Sequence, residues 1–208
     1  SKFLQRFPGE VLRLAFMQNH YTSNVDFSEQ VFRQASQRLL YFYETLKELD
    51  LIAKDASGTA LLPGHQPELL VEAFHKEMGH DFGTVGAVRE LLQGFKKANE
   101  LRQGKKSPAK SVTAKLYADI LRKLCGVFGV VQMEPDVFIQ ALKSQILKER
   151  GLEEAAILDL IAARKAARDA KDFKKSDEVR DTLSAMGIDL MDGAEGTKWT
   201  FVWKEEEA

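Results

Sequence analysis

The spacing of hydrophobic positions along the chain predicts a succession of helices. The clearest stripe follows Ser28, where apolar residues recur at steps of three and four: Val31, Ala35, Leu39, Phe42, Leu46 and Leu49. Such steps bring side chains to one face of a helix, and Ser28 is suited to be its N-cap. An earlier apolar run, from Val11 to Phe16, predicts a shorter helix that ends before the polar residues 19–24.

Three further helices are predicted between residues 67 and 124. Pro67 is placed to open the first, which ends near Gly79, and Thr84 is placed to cap the second. A basic loop at residues 104–108 precedes the third. The apolar positions expected to face inward are Leu70, Phe74, Met78, Val85, Val88, Leu92, Phe95, Leu116, Ile120 and Leu124. Helices joined by short loops predict an antiparallel bundle.

The pattern changes near Gly151, where we predict a domain boundary. A short helix with Val137, Ile139, Leu142 and Ile146 leads to this glycine. Beyond it, an alanine-rich helix is expected over residues 153–170 and another over 172–186, closed by Gly187.

Strict alternation of apolar and polar residues then predicts a β-hairpin from Ile188 to Trp203, with a glycine-bearing turn at 192–196. The chain is thus expected to be mainly α. A helical bundle would occupy residues 1–150, and a small α+β C-terminal domain residues 151–208.

Composition narrows the classes of function. A chain of 208 residues with 44% hydrophobic side chains can bury a core. No apolar run approaches the roughly 18 residues of a membrane span, and the start lacks the order of a secretory signal, so we expect a cytoplasmic protein without membrane contact. The single cysteine, Cys125, has apolar neighbours and is expected to be buried. Four scattered histidines show no zinc spacing, so no metal site is expected.

The formal net charge is -1, but the charge is unevenly distributed. Residues 95–123 concentrate nine cations: Lys96, Lys97, Arg102, Lys105, Lys106, Lys110, Lys115, Arg122 and Lys123. Such a segment can bind phosphates, and it can equally be a solvated helix face with a lysine-rich loop. By contrast, the glutamates at 205–207 form an acidic tail.

Common catalytic motifs are missing from this sequence. It contains neither a phosphate-cradling G-x-x-x-x-G-K-[ST] loop, nor a dinucleotide G-x-G-x-x-G, nor a G-x-S-x-G nucleophile turn in a strand context. A chain without a recognisable acid, base, nucleophile or metal set is better interpreted as a binding module than as a complete enzyme.

Six side chains near the C-terminus carry three chemistries suited to unpaired bases: guanidinium forks, carboxylates and aromatic rings. They are Arg168, Arg180, Asp177, Asp192, Phe173 and Trp199. Forks and carboxylates can bond to base edges, and rings can stack on bases. Phe173, Asp177 and Arg180 are spaced to share one helix face. The same residues also fit a structural interpretation, in which the rings pack the helix onto the hairpin while Asp177 and Arg180 form a surface pair.

Two segments carry a resemblance to a known family. From Ala167 the chain runs A-R-D-A-K-D-F-K-K-S-D-E-V-R-D-T-L-S-A-M-G-I-D-L-M-D-G-A-E-G-T-K-W. It resembles the end of bacterial cysteinyl-tRNA synthetases, usually A-R-x-A-K-D-[WF]-x-x-[AS]-D-x-x-R-D-x-L-x-x-x-G-I-x-L-x-D-x-x-x-G-T-x-W. Residues 7–30, which include H-Y-T-S-N-V-D-F-S, resemble the family segment just after its catalytic signature loop. The middle departs from the family's M-x-D-D-F-N-T-P at His80, Gly83 and Val85.

The resemblance implies a class I synthetase anticodon-binding bundle of the DALR-like type, followed by the family's small terminal domain. It implies two partners, the cysteine tRNA and a catalytic domain of the same polypeptide, in a monomer. The parent enzyme would join cysteine to its tRNA. ATP, magnesium and zinc are expected in that catalytic domain, whose H-I-G-H and K-M-S-K-S motifs would precede residue 1. This chain alone is expected to hold no cofactor and to be inactive.

By the same resemblance, residues matching Arg168, Phe173, Asp177 and Asp192 read the G-C-A anticodon, and Arg180 and Trp199 lie within the same motif. One division of roles assigns stacking to Phe173 and hydrogen bonds with the guanine to Arg168 and Asp177. Asp192 would then accept a hydrogen bond from the cytosine amine. Two alternatives stay open. One is a helical protein-interaction module without RNA binding. The other is a related ligase that joins cysteine to an amino sugar, against which the stretch from Arg168 to Trp199 argues.

Overall fold

The fold is mainly helical, as predicted. The computed structural model describes residues 7–19, 28–80, 83–193 and 196–202, which contain eight α-helices and an antiparallel two-stranded hairpin. The family-like residues at 20–27, Trp203 of the predicted second strand and the acidic tail lie outside the described residues. The described helices include none with the length and apolar character that a membrane span requires.

The chain divides into two compact units, residues 1–143 and residues 144–208. The division into functional domains at residue 150 stays a prediction. The elements that begin in the first unit are α1 (Gly9–Met17), α2 (Glu29–Ala53), α3 (Glu68–Gly79), α4 (Thr84–Asn99), a 3-10 helix (Glu100–Arg102), α5 (Pro108–Val127) and α6 (Pro135–Arg150). Helix α2 contacts α1, α4 and α5, and α3 contacts α4 and α5.

The predicted stripe on α2 forms the centre of the first unit's core. Ala35, Leu39, Phe42, Leu46 and Leu49 are all fully buried, and Ser28 occupies the N-cap position. The Phe42 ring stacks on Phe95 of α4 with the ring centroids 3.9 Å apart. Such rows of buried apolar side chains are what the spacing of three and four predicts.

One predicted inward position is wrong. Val85, in the first turn of α4, is exposed, and the buried residues of this helix begin at Ala87. On α4 the fully buried Leu91 lies in the core, although the periodicity did not select it. Cys125 is buried as expected, and burial raises the pKa of its thiol.

A buried carboxylate, Glu10 of α1, organises the loop that follows α5. Its Oε2 accepts hydrogen bonds from the Tyr43 hydroxyl at 2.8 Å and from the Val131 amide at 2.9 Å. Its Oε1 accepts from the Gln132 amide at 3.0 Å, and the Tyr43 hydroxyl accepts from the Met133 amide at 3.1 Å. Val131 has a φ of 60°, a costly backbone conformation for a β-branched residue, so these bonds hold a strained loop in place.

The second unit contains α7 (Glu154–Asp169), α8 (Phe173–Ala185), β1 (Ile188–Gly193) and β2 (Gly196–Phe201). Helix α7 packs on α8, and α8 contacts β1. The turn between the helices is tight: Lys171 has a φ of 59°, and the Asp172 side chain caps α8 by accepting from the Lys175 amide at 3.1 Å. This turn therefore places Arg168, near the end of α7, close in sequence and space to Phe173 at the start of α8.

Arg150 fixes the base of the hairpin. Its guanidinium donates to the carbonyl oxygens of Gly187 at 2.9 Å and Val202 at 3.1 Å, and it lies 4.9 Å from the Phe201 ring centre. Gly187, the predicted helix-terminating residue, has a φ of 74°, and a Cβ atom there would lie 2.5 Å from the Arg150 Nη1. Glycine at 187 thus satisfies both the left-handed backbone and the space that Arg150 needs.

Candidate nucleic-acid interface

The hairpin register determines which side chains face the helices of the second unit. Asp192 pairs with Thr197, and Leu190 pairs with Trp199 two residues further along. Because side chains alternate along a strand, these four residues share one face of the hairpin. Trp199 and Phe201 are buried on that face, with their rings edge to face at 5.3 Å.

Asp192 is the centre of an ionic cluster with α7. Arg164 Nη1 and Nη2 donate to the two carboxylate oxygens, each at 2.9 Å. Arg168 Nη1 donates to Oδ2 at 2.8 Å, and the Thr197 hydroxyl donates to Oδ1 at 2.8 Å. A carboxylate offers about four acceptor positions, and here two donors lie on each oxygen. Asp192 therefore has its accepting capacity filled by the protein itself.

The electrostatics follow from this geometry. The Arg164 guanidinium, assisted by Thr197 and Arg168, holds the pKa of the Asp192 carboxyl well below its usual range. In return, hydrogen bonds to Asp192 raise the pKa of Arg164, and the charge of Asp177 adds a weaker effect of the same sign. Asp177 thus lies within electrostatic range of the cluster. Asp192 and Arg164 are therefore both ionised at neutral pH.

The two arginines differ in exposure. Arg164 is 8% exposed, whereas the Arg168 side chain is 49% exposed. Arg164 Nε is buried with no hydrogen-bond partner among the described residues. Arg168 donates one hydrogen bond, to Asp192, within the same part of the chain, so most of its fork faces outward.

Five of the six predicted site residues are exposed: Arg168, Phe173, Asp177, Arg180 and Asp192. Phe173 has 64% of its surface accessible. Trp199 is 7% exposed, so its ring packs inside the unit and offers little stacking surface. Arg168 and Asp192 are in direct contact, and the structure shows no direct bond that joins Phe173 or Arg180 to them among the described residues.

Sequence reasoning missed Arg164 and Thr197. Arg164 lies four residues before Arg168, a spacing that puts both guanidinium groups on one face of α7. Thr197 could have been assigned to the site only from the hairpin register. The sequence did not determine this register, because it did not specify which residues form the turn.

Four of the nine cations in the basic segment at 95–123 are engaged within the first unit. Three of its cations pair with carboxylates: Lys97 with Glu100 at 2.7 Å, Lys115 with Asp119 at 2.8 Å, and Arg122 with Asp50 at 2.6 Å. Lys110 is buried, and its ammonium donates to the carbonyls of Gln103 at 2.8 Å and Gly104 at 3.1 Å. This segment is therefore a weaker candidate for phosphate binding than its charge suggests.

The described residues do not fit a zinc site. They contain no group of three or more His, Cys, Asp or Glu side chains that could hold a metal ion. Cys125 is fully buried and its thiol pKa is raised, so it does not supply the thiolate that zinc requires.

Comparison with known proteins defines the class of this chain. Residues 73–132, which run from α3 through α5, match the DALR domain. The chain therefore carries a DALR domain in its first unit. The ionic cluster lies outside this match, in the second unit.

Relatives that cover both units identify the family more closely. The chain is 36% identical over 198 residues to the cysteine–tRNA ligase of Anaeromyxobacter dehalogenans strain 2CP-C, covering 94% of this chain and 40% of that protein. It is 36% identical over 202 residues to the cysteine–tRNA ligase of Magnetococcus marinus, covering 95% of this chain and 40% of that protein. The Pseudomonas aeruginosa cysteine–tRNA ligase is likewise 36% identical over 196 residues, with coverage of 94% and 38%.

The chain is a homologue of the cysteine–tRNA ligases and belongs with their C-terminal portion. It spans about 40% of the length of these relatives.

Proposed function

We propose that this chain binds the cysteine tRNA and reads its anticodon, as part of a monomeric, cytoplasmic cysteine–tRNA ligase. One observation carries the proposal. Two exposed recognition groups flank the turn between α7 and α8: the Arg168 fork, anchored to the hairpin through Asp192, and the Phe173 ring. An outward fork and an exposed ring on ordered elements are what recognition of unstacked bases requires.

The exposed residues take the direct roles. Phe173 stacks on an anticodon base, a contact that contributes about 1 to 3 kcal/mol. Arg168 and Asp177 bond to the edge of the guanine, as a donor fork and an acceptor respectively. Arg180, three residues beyond Asp177 and exposed, contacts phosphate or a neighbouring base.

Asp192 and Trp199 take supporting roles in this proposal. With four donors already on its carboxylate, Asp192 orients Arg168 rather than reading the cytosine amine. The buried Trp199 supports the hairpin that carries Asp192. The first unit, with its DALR domain, is proposed to bind the body of the RNA.

We assign no catalytic step to the described residues. Ligation of cysteine with ATP is proposed for the whole enzyme, and magnesium and zinc belong to the same proposal.

Salt dependence separates this function from a protein-interaction module. We expect the chain to bind a transcript of the cysteine tRNA with an affinity that falls steeply as salt is raised, because phosphate contacts release counterions. Filter binding at several salt concentrations measures this slope. No detectable binding at low salt would reject RNA recognition by this chain.

A further inference from the structure

The two arginines that bind Asp192 differ in burial and in the number of hydrogen bonds they donate to it. Arg164 approaches from the buried side and contacts both oxygens, so its removal would vacate two acceptor positions at once. Arg168 contacts one oxygen from the exposed side. Because Arg164 and Arg168 lie one helical turn apart on α7, both reach the same carboxylate.

The charges of the cluster do not cancel. Two guanidinium groups bind one carboxylate directly, which leaves one positive charge in excess before the more distant Asp177 is counted. Both Nη atoms of the buried Arg164 are engaged by Asp192, whereas the half-exposed Arg168 uses one donor. Without Arg164, a bidentate pair between Arg168 and Asp192 would become available, and such pairs are the strongest that a carboxylate forms.

Stability alone does not account for an arginine at position 164. Its Nε is buried with no partner in the described part of the chain, which is a cost that an apolar side chain would avoid. Replacing a buried ionic group by a well-packed apolar one is often neutral or stabilising. Packing therefore does not explain why position 164 holds a buried arginine whose Nε is unpaired among the described residues.

We propose that Arg164 is a positioning residue for RNA recognition: it saturates Asp192 and so restricts Arg168 to a single internal hydrogen bond. The remaining donors and the charge of Arg168 then stay available for the RNA. This inference rests on the proposed function, since Arg168 is the group that touches the nucleic acid. It adds a residue that lies outside the family-like segment beginning at Ala167.

A double-mutant cycle on the whole chain tests the inference. Affinities are measured for the cysteine-tRNA transcript and for one with an altered anticodon. The chains compared are the unaltered protein, Arg164→Met, Asp192→Asn and the double variant. Lys165→Met is the matched control, since it removes the same charge from an exposed neighbour on α7.

Arg164→Met is expected to weaken binding of the native transcript roughly tenfold, because Arg168 is drawn into a bidentate pair. Lys165→Met should weaken it clearly less. Adding Asp192→Asn to Arg164→Met should restore part of the lost RNA affinity, because the captured fork is released although its anchor on the hairpin is gone. A purely structural role for Arg164 predicts that affinity follows thermal stability across the variants, whereas capture of Arg168 predicts a loss of affinity in Arg164→Met that its change in thermal stability does not match.

Thermal unfolding confirms that each variant is folded, and Arg164→Lys, which keeps the charge but not the fork, provides a milder change with an intermediate expected loss. If Arg164→Met binds like Lys165→Met, or if the double variant is the weaker, this inference alone is overturned. If the unaltered chain binds both transcripts equally, the anticodon assignment fails while the cycle still tests Arg164. Absence of binding overturns both.

Discussion

Arg164 and Asp192 form a two-pronged ion pair, with both Nη atoms 2.9 Å from the carboxylate oxygens. One partner is buried in α7 and the other lies near the tip of the hairpin, so the pair links a helix to a strand across 28 positions of sequence. The contact fixes the hairpin's exposed end against α7 and, with it, the direction of the Arg168 fork. The second unit thus brings the exposed Arg168 and the groups that hold it in place into one cluster.

Asp192→Asn is expected to lower the free energy of unfolding by about 2 kcal/mol, since the buried Arg164 loses its counter-charge and half of its bidentate pair. Chemical denaturation checks this value. Asp189→Asn on the same strand removes an equal charge from an exposed position and should change stability by less than about 0.5 kcal/mol. Equal effects of the two substitutions would mean that the ion pair does not stabilise the unit.

The same pair predicts how stability depends on pH. Because the pKa of Asp192 is lower in the folded chain than the roughly 3.9 of an unfolded aspartate, its contribution is complete above that value and is lost as the pH falls below it. The stability difference between the unaltered chain and Asp192→Asn should therefore be constant from pH 7 to about pH 5 and shrink towards pH 2. A difference that grows on acidification would contradict the ion pair.

The aromatic residues Phe173 and Trp199 are expected to respond in opposite ways to truncation. Phe173→Ala removes a ring that is 64% exposed, so stability should change by less than about 0.5 kcal/mol while RNA affinity falls roughly tenfold. Trp199→Ala removes a buried ring and should cost roughly 3 to 5 kcal/mol of stability. Chemical denaturation measures the stability of both variants, and filter binding measures their affinity for RNA. A loss of stability from Phe173→Ala would place its ring in the core instead.

The network around Glu10 predicts that stability is sensitive to substitution at a position far in sequence from the ionic cluster of the second unit. Glu10→Gln keeps the shape, but one oxygen becomes an NH2 group, which must face the amide of either Val131 or Gln132. Two donors then oppose each other, and we expect a loss of about 2 kcal/mol in the free energy of unfolding. Glu72→Gln on the exposed side of α3 is the control and should leave the free energy of unfolding almost unchanged. Similar losses from both would reject the buried network.

Local patterns in the sequence were sufficient for most of the fold. The α2 stripe from Ala35 to Leu49, the end of α8 at Gly187 and the hairpin all follow from spacing and turn chemistry. The sequence did not reveal Glu10 as a buried acceptor, because its amide partners at 131 and 132 lie more than a hundred residues away. Long-range polar contacts leave no periodic signal.

For the candidate site, the sequence predicted residue chemistry better than burial and contacts, and the membership of the site stays a prediction. Arg168 and Phe173 were selected for fork and ring, and both are exposed. The burial of Trp199 and the saturation of Asp192 depend on hairpin register, which determines the side of the strand that each side chain faces. Arg164 was missed because an arginine within an alanine-rich helix has the same spacing whether it is buried or solvated.

Anticodon discrimination by the unaltered chain decides whether the second unit reads bases. Dissociation constants are measured at one moderate salt concentration for the cysteine-tRNA transcript and for a transcript whose first anticodon base, guanine, is replaced. The account predicts at least roughly tenfold tighter binding of the native transcript, because the replaced base leaves Arg168 and Asp177 without their partners. Equal dissociation constants for the two transcripts would contradict it.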